Sequence, residues 1–291
     1  MIKKSIIIAL ILLIAYEAVI RLTHIKWDTS QNDKSANLIS AQNFMYNLGD
    51  EEIKNDTLII GSSISRKLVT DSLGKNYYNL AFNAWSSYDG LEVVSLTKKK
   101  PACLLIETNV VGNQQLQQDV TGSLTPVTFY SSQIFKSFQL KNQPVGLLVG
   151  GIKEKLKARI DEMRRLKRQN QELYNYNISL EKEKQNKPLP DSEMVKRFTV
   201  LQKLIDGFKA QNIQIVFYEI PFDKELENTA IMQQNRKYFR QYFPEEKYKY
   251  VQLPAENNYV YSDGLHLNQE SALPYTLYLK GELEKIKSIN K

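Results

Sequence analysis

Ten consecutive apolar residues, Ile6–Ala15, follow Lys3 and Lys4, and Glu17 and Arg21 then close the run. Two lysines ahead of an apolar core have the polarity of an export signal. No small-x-small cleavage site follows, because Tyr16, Glu17, Val19 and Ile20 occupy the nearby frames. The pattern predicts an uncleaved signal-anchor over residues 1–25, with Lys3 and Lys4 inside and the remainder exported. Cleavage and secretion is the alternative. Residues 26–56 are polar and mixed, and read as a stalk with a leading helix over Ala36–Leu48.

Four short apolar runs then predict strands: Thr57–Gly61, Tyr77–Ala81, Ala102–Glu107 and Asn212–Glu219. They are continuous rather than alternating, as buried strands of a parallel sheet are when helices cover both faces. Helical stretches at Tyr88–Leu96 and Ser192–Ala210 separate them. Strand-helix alternation defines an α/β, three-layer, doubly wound fold over 57–291, whose ligands lie beyond the carboxyl ends of the strands. Gln114–Gly151 lacks a period and reads as loops and short helices. Ile152–Lys184 is strongly helical and stops at Pro188 and Pro190, so it reads as a helical insertion over about 150–188, projecting from the α/β body.

Composition narrows the class. With 42% hydrophobic residues, 24% charged, 12 Gly and 9 Pro, the chain is neither collagen, a disordered tail nor a polytopic membrane protein. The net charge of +7 is concentrated, because Gly151–Lys187 alone holds eleven Lys/Arg against six Asp/Glu. A single basic helix without groove-reading or aromatic motifs argues against nucleic acid as a partner. One cysteine, Cys103, excludes a disulfide framework and reads as a small buried hydrophobe. Two histidines, His24 and His266, exclude a His-rich metal site, and no metal or organic cofactor is expected. His24 reads as an interfacial residue just past the anchor.

Candidate chemistry gathers after the strands. Gly61-Ser62-Ser63 follows the first, where a serine hydroxyl is exposed and its backbone N–H lies at a helix start. The same three residues alone also suit an ordinary turn. Near the other end stands Tyr261-Ser-Asp263-Gly-Leu-His266-Leu-Asn268, where an Asp and a His three apart can share one side of a turn. The carboxylate would then fix the imidazole tautomer.

These two blocks together resemble the SGNH (GDSL-like) hydrolase superfamily, in particular its membrane-anchored branch, to which the D-alanyl transfer protein of teichoic acid modification belongs. The resemblance makes Ser63 the nucleophile, His266 the general base and Asp263 its orienting carboxylate, with Ser62 replacing the aspartate usual in the first block. For the oxyanion hole it implies the Ala84 N–H in Asn79-Leu-Ala-Phe-Asn83-Ala84, where the family has glycine, and the amide of Asn109, with Asn113 behind it. Trp85 is expected at the mouth of the site.

The implied function is a membrane-tethered, extracytoplasmic serine acyl esterase or O-acyltransferase. Its substrate would be a cell-envelope polysaccharide or acyl ester, and a membrane-bound O-acyltransferase is the implied partner. The alternative is an SGNH-like domain without catalysis that binds glycan or scaffolds an envelope assembly.

Overall fold

The computed structural model describes residues 2–23, 28–47, 56–97, 100–111, 122, 124–168 and 171–288. His24 and Asn113 lie outside the described residues. Contacts divide the chain into two compact units, one of residues 1–47 with 118–164 and the other of 48–117 with 165–291.

The second unit is α/β. Its sheet holds β1 (Thr57–Ile60), β2 (Tyr77–Asn79), β3 (Cys103–Glu107), β4 (Gln214–Tyr218) and β5 (Lys249–Tyr250). All pairs are parallel, in the order β2-β1-β3-β4-β5. The four expected strands are present. The fifth is only two residues long and carries no apolar run to announce it.

Alternate side chains of each strand face opposite layers, as the two-residue period of a strand requires. Ile59, Leu105, Val216 and Tyr218 enter one core with Leu73 of α3 (Thr70–Leu73) and Tyr275, Leu279 and Leu283 of α10 (Gln269–Ser288). On the other face Ile60 meets Gly90 of α4 (Ser87–Leu96), so closely that an added Cβ there would lie 2.8 Å from Ile60 Cγ2. Phe217 stacks there among Phe239 and Phe243, at and just beyond the end of α9 (Ala230–Tyr242). Phe198 of α8 (Asp191–Lys209) joins them. The sheet is therefore covered on both faces, and the strand order changes direction between β1 and β3.

The first unit contains α1 (Ile2–Leu22), α2 (Asp33–Asn47), α5 (Pro126–Ile134), two 3-10 turns at Lys136–Phe138 and Leu140–Asn142, and most of α6 (Pro144–Arg168). Helix α1 is long and apolar enough to cross a membrane. At about 1.5 Å per residue its 21 residues span roughly 31 Å. The expected stalk is instead part of a packed unit: Ala41 and Phe44 of α2 are fully buried, and Gln42 accepts the Leu140 N–H at 3.0 Å.

The expected insertion is also divided differently. Helix α6 starts at Pro144, and α7 (Gln171–Gln185) belongs to the α/β unit rather than projecting from it. Tyr174 donates to Asp223 at 2.7 Å, Thr229 donates to Gln185 at 2.8 Å, and Ile178 is buried. The contacts that hold α7 are mostly polar and distant in sequence, so its apolar spacing does not reveal them.

Candidate active site

The turn after β1 is built to expose one side chain. Gly61 has no room for another residue, since an added Cβ would lie 2.6 Å from Glu107 Oε2. Ser62 turns inward: its N–H donates to Glu107 Oε2 at 2.8 Å, and its hydroxyl donates to the same carboxylate at 2.9 and 3.0 Å. Ser62 also accepts the Ile64 N–H on Oγ and the Arg66 N–H on its carbonyl, both at 3.2 Å. Ser65 turns inward too, donating to Glu107 and receiving the Tyr218 hydroxyl at 2.6 Å. Between these buried residues Ser63 remains half-buried and faces outward.

The loop carrying Asp263 and His266 closes on itself. Tyr261 and Leu267 form an antiparallel bridge, and Ser262 N–H donates to the His266 carbonyl at 2.8 Å. Asp263 Oδ1 accepts the Leu265 N–H at 3.1 Å and the His266 N–H at 2.9 Å. Gly264 makes this possible at φ +87°, where an added Cβ would lie 2.9 Å from Leu226 Cδ1 and 3.2 Å from Ile178 Cγ1. Its carbonyl accepts the Asp223 N–H at 2.8 Å, which ties the loop to the segment after β4. Ile178 and Leu226 thus close over the loop from the side.

The two segments meet. Ser63 Oγ lies 2.8 Å from His266 Nε2, across 203 residues of sequence, and His266 Nδ1 lies 2.8 Å from Asp263 Oδ2 and 3.0 Å from Oδ1. A carboxylate facing Nδ1 assigns the proton to that nitrogen and leaves Nε2 to accept from the Ser63 hydroxyl. Burial works against the Asp263 carboxylate. The hydrogen bond and charge of His266 and the backbone N–H groups of His266 and Leu265 outweigh it, and its carboxyl is held below the ordinary aspartate value. A nucleophile, an oriented base and an ionised carboxylate in this relation are suited to covalent acyl transfer.

The remaining expected residues divide. Leu80 and Phe82 donate their N–H groups to the carbonyls of Ile59 and Gly61 at 2.9 and 3.0 Å, so the segment after β2 runs beside the serine turn. Ala84 follows, exposed and at φ +55°, a conformation that favours glycine. Among the described residues no hydrogen bond occupies the N–H of Ser63 or Ala84.

Asn109 is not an oxyanion donor in this arrangement. It is 1% exposed, its amide donates to the Ile220 carbonyl at 2.7 Å, and its oxygen accepts the Ile220 N–H at 2.9 Å. It therefore joins the ends of β3 and β4. Trp85 is not at a mouth either, being 8% exposed and packed edge-on against Phe82 at 5.6 Å. Cys103 is buried within β3.

Glu107 is a further residue of the candidate site, one that no motif in the sequence marks. It is fully buried at the end of β3, beneath the serine turn. Burial pushes its carboxyl up, against the hydrogen bonds from Ser65 and Ser62 that pull it down, and the balance lies above the ordinary glutamate value. A carboxylate that ends an uninterrupted apolar run was the available signal, because a doubly buried strand accepts a charge only where donors await it.

Comparisons of the chain with protein-family models, with curated proteins and with solved structures found no match.

Proposed function

We propose that this chain is a membrane-tethered serine acyl esterase or O-acyltransferase of SGNH type, with Ser63, His266 and Asp263 as its triad. The observation that carries the reading is the 2.8 Å contact of Ser63 Oγ with a His266 ring whose other nitrogen faces Asp263 at 2.8 Å. The strand order supports it, because Ser63 follows β1 at the point where the winding reverses, and doubly wound sheets bind ligands there.

In the proposed reaction His266 Nε2 takes the Ser63 proton as Oγ bonds to an ester carbonyl carbon. The carbonyl oxygen becomes an oxyanion and accepts the N–H groups of Ser63 and Ala84. Collapse breaks the ester bond, and the departing alcohol leaves with the proton held on His266. The acyl group on Ser63 then passes to water, or to a sugar hydroxyl, by the same steps in reverse order. Resemblance to the membrane-anchored branch makes an envelope polysaccharide the substrate class and a membrane-bound O-acyltransferase the acyl supplier. Export behind the N-terminal signal-anchor would put the α/β unit outside the cytoplasmic membrane.

Labelling by a fluorophosphonate probe tests the chemistry. The wild-type chain should label and Ser63→Ala should not. A folded wild-type chain that never labels would favour the reading as a glycan-binding domain without catalysis.

A further inference from the structure

Helix α1 does not end freely. The Glu17 carboxylate accepts the N–H groups of Lys136 at 3.0 Å and Ser137 at 2.8 Å. Arg21 donates to Glu17 at 2.6 Å and to the Ile134 carbonyl at 2.7 Å, and the Tyr16 hydroxyl donates to the Asn142 carbonyl. Residues 134–142 are therefore held at the level of Tyr16–Arg21. That level is within about 9 Å of the helix end at Leu22, at roughly 1.5 Å per residue.

The segment so placed carries an unusual density of uncovered apolar side chains. Ten large hydrophobic residues between Val127 and Met163 are 41–80% exposed, against seven across the whole of residues 171–288. They are ordered. Val127, Tyr130 and Ile134 on α5 follow i, i+3, i+7, and Val145, Leu148 and Ile152 on α6 repeat that spacing. Leu156 and Met163 continue the α6 stripe, and at about 100° per residue all five fall within roughly 80° of arc. Phe135 and Phe138, paired at 5.3 Å, lie in the turn between the helices.

We infer that α5, the Lys136–Phe138 turn and the apolar stripe of α6 rest in the lipid interface of the leaflet into which α1 emerges. Continuity with the membrane helix selects lipid as the occupant, since the hydrogen bonds of Glu17 and Arg21 fix Ile134–Ser137 at interfacial depth. Charge agrees: residues 126–160 hold six Lys/Arg and one acidic residue, Glu154. Lys155 borders the stripe and Arg159 stands within its arc, where their stems can lie along apolar surface while their heads reach anionic headgroups. Aromatic residues are likewise enriched at that depth. The seat rests on the reading of α1 as a membrane-spanning helix, and one experiment separates the two.

Single cysteines are placed at Ile11, Leu148 and Ile152 of the full chain, in a Cys103→Ala background, and labelled with an environment-sensitive nitrobenzoxadiazole. The protein alone is reconstituted into vesicles of phosphatidylcholine and phosphatidylglycerol. Iodide in the water and nitroxides attached near the lipid headgroups then compete as quenchers, with the free label in buffer as reference. Labels at 148 and 152 should be quenched by shallow nitroxides and lose iodide quenching by about threefold or more, as interfacial burial of ~5–10 Å implies. Iodide quenching at 148 and 152 equal to that of the free label, with the label at 11 shielded, would overturn the seat while keeping the anchor. That outcome would assign the stripe to a protein partner missing from the vesicles. A label at 11 open to iodide would overturn anchor and seat together.

Discussion

Replacing Glu107 by Gln asks how much of the Ser63 turn depends on a buried charge. Three donors converge on its two oxygens: the Ser62 N–H at 2.8 Å, the Ser62 hydroxyl at 2.9 and 3.0 Å, and the Ser65 hydroxyl. A hydrogen bond to a charged group contributes ~1.5–3 kcal/mol and a neutral one ~0.5–1.5 kcal/mol, so neutralisation removes about 1 kcal/mol per donor, about 3 in all. Relief of the cost of burying a charge opposes this, and the upward displacement of the Glu107 carboxyl shows that the cost is felt. Net stability at neutral pH should therefore change by no more than about 2 kcal/mol. Placement of the turn has no such compensation. Glutamine turns one acceptor oxygen into a donor, so either the Ser62 or the Ser65 hydroxyl must seek another partner. A shift of Ser63 by about 1 Å is worth about 10²-fold in rate. The labelling rate of Ser63 should fall about 10- to 100-fold, measured from fluorophosphonate progress curves alongside urea melts from pH 4 to 8. The melts carry their own sign. Because the native Glu107 carboxyl is raised, its contribution is full below the ordinary value of about 4.3 and declines as pH rises through the native value. The wild-type chain should lose stability across that window relative to the Gln variant. A folded Gln variant that labels within about twofold of wild type would refute the reasoning, because the turn would then be held by Tyr218 and the backbone alone.

Asn109→Ala should cost about 2–4 kcal/mol in urea melts, since it deletes two buried hydrogen bonds to Ile220, while labelling per folded molecule stays near wild type. Lost rate without lost stability would return Asn109 to the oxyanion hole. Ala84→Gly should relieve roughly 1–2 kcal/mol of left-handed backbone strain at φ +55°, partly offset by the freedom of glycine in the unfolded chain. Its melting temperature should hold or rise with labelling retained, and slower labelling would sink the account. Asp263→Asn should reduce labelling by up to about 10⁴-fold and leave a measurable residue, whereas Ser63→Ala removes it entirely. Because the Asp263 carboxyl is lowered in the fold, its contribution is present above the ordinary value of about 3.9 and is lost as pH falls through the native one. Acid melts of Asp263→Asn should lack that loss.

Pattern alone was sufficient wherever the determining interactions are local or where burial is total. Thr57–Ile60 and Cys103–Glu107 are legible as strands because both faces are covered, so the positions after Thr57 and those ahead of the closing Glu107 form short uninterrupted apolar runs. Asp263 and His266 are legible as a pair because a three-residue separation lets one carboxylate accept both the backbone and the ring N–H. Helix α1 is legible because its apolar run is unbroken, in a helix long and apolar enough to cross a membrane. Tertiary structure decided the rest. It closed 203 residues between Ser63 and His266, a distance no spacing encodes. It spent the Asn109 amide on Ile220 and buried Trp85 against Phe82, since an amide or an indole serves a strut or a core as well as it serves a site. It drew α2 into the first unit and α7 onto the α/β unit through side-chain hydrogen bonds that leave no period in the sequence. It also set Glu107 beneath the serine turn, where hydroxyls from β1's exit and a carboxylate from β3's end meet only because the two strands are neighbours in the sheet.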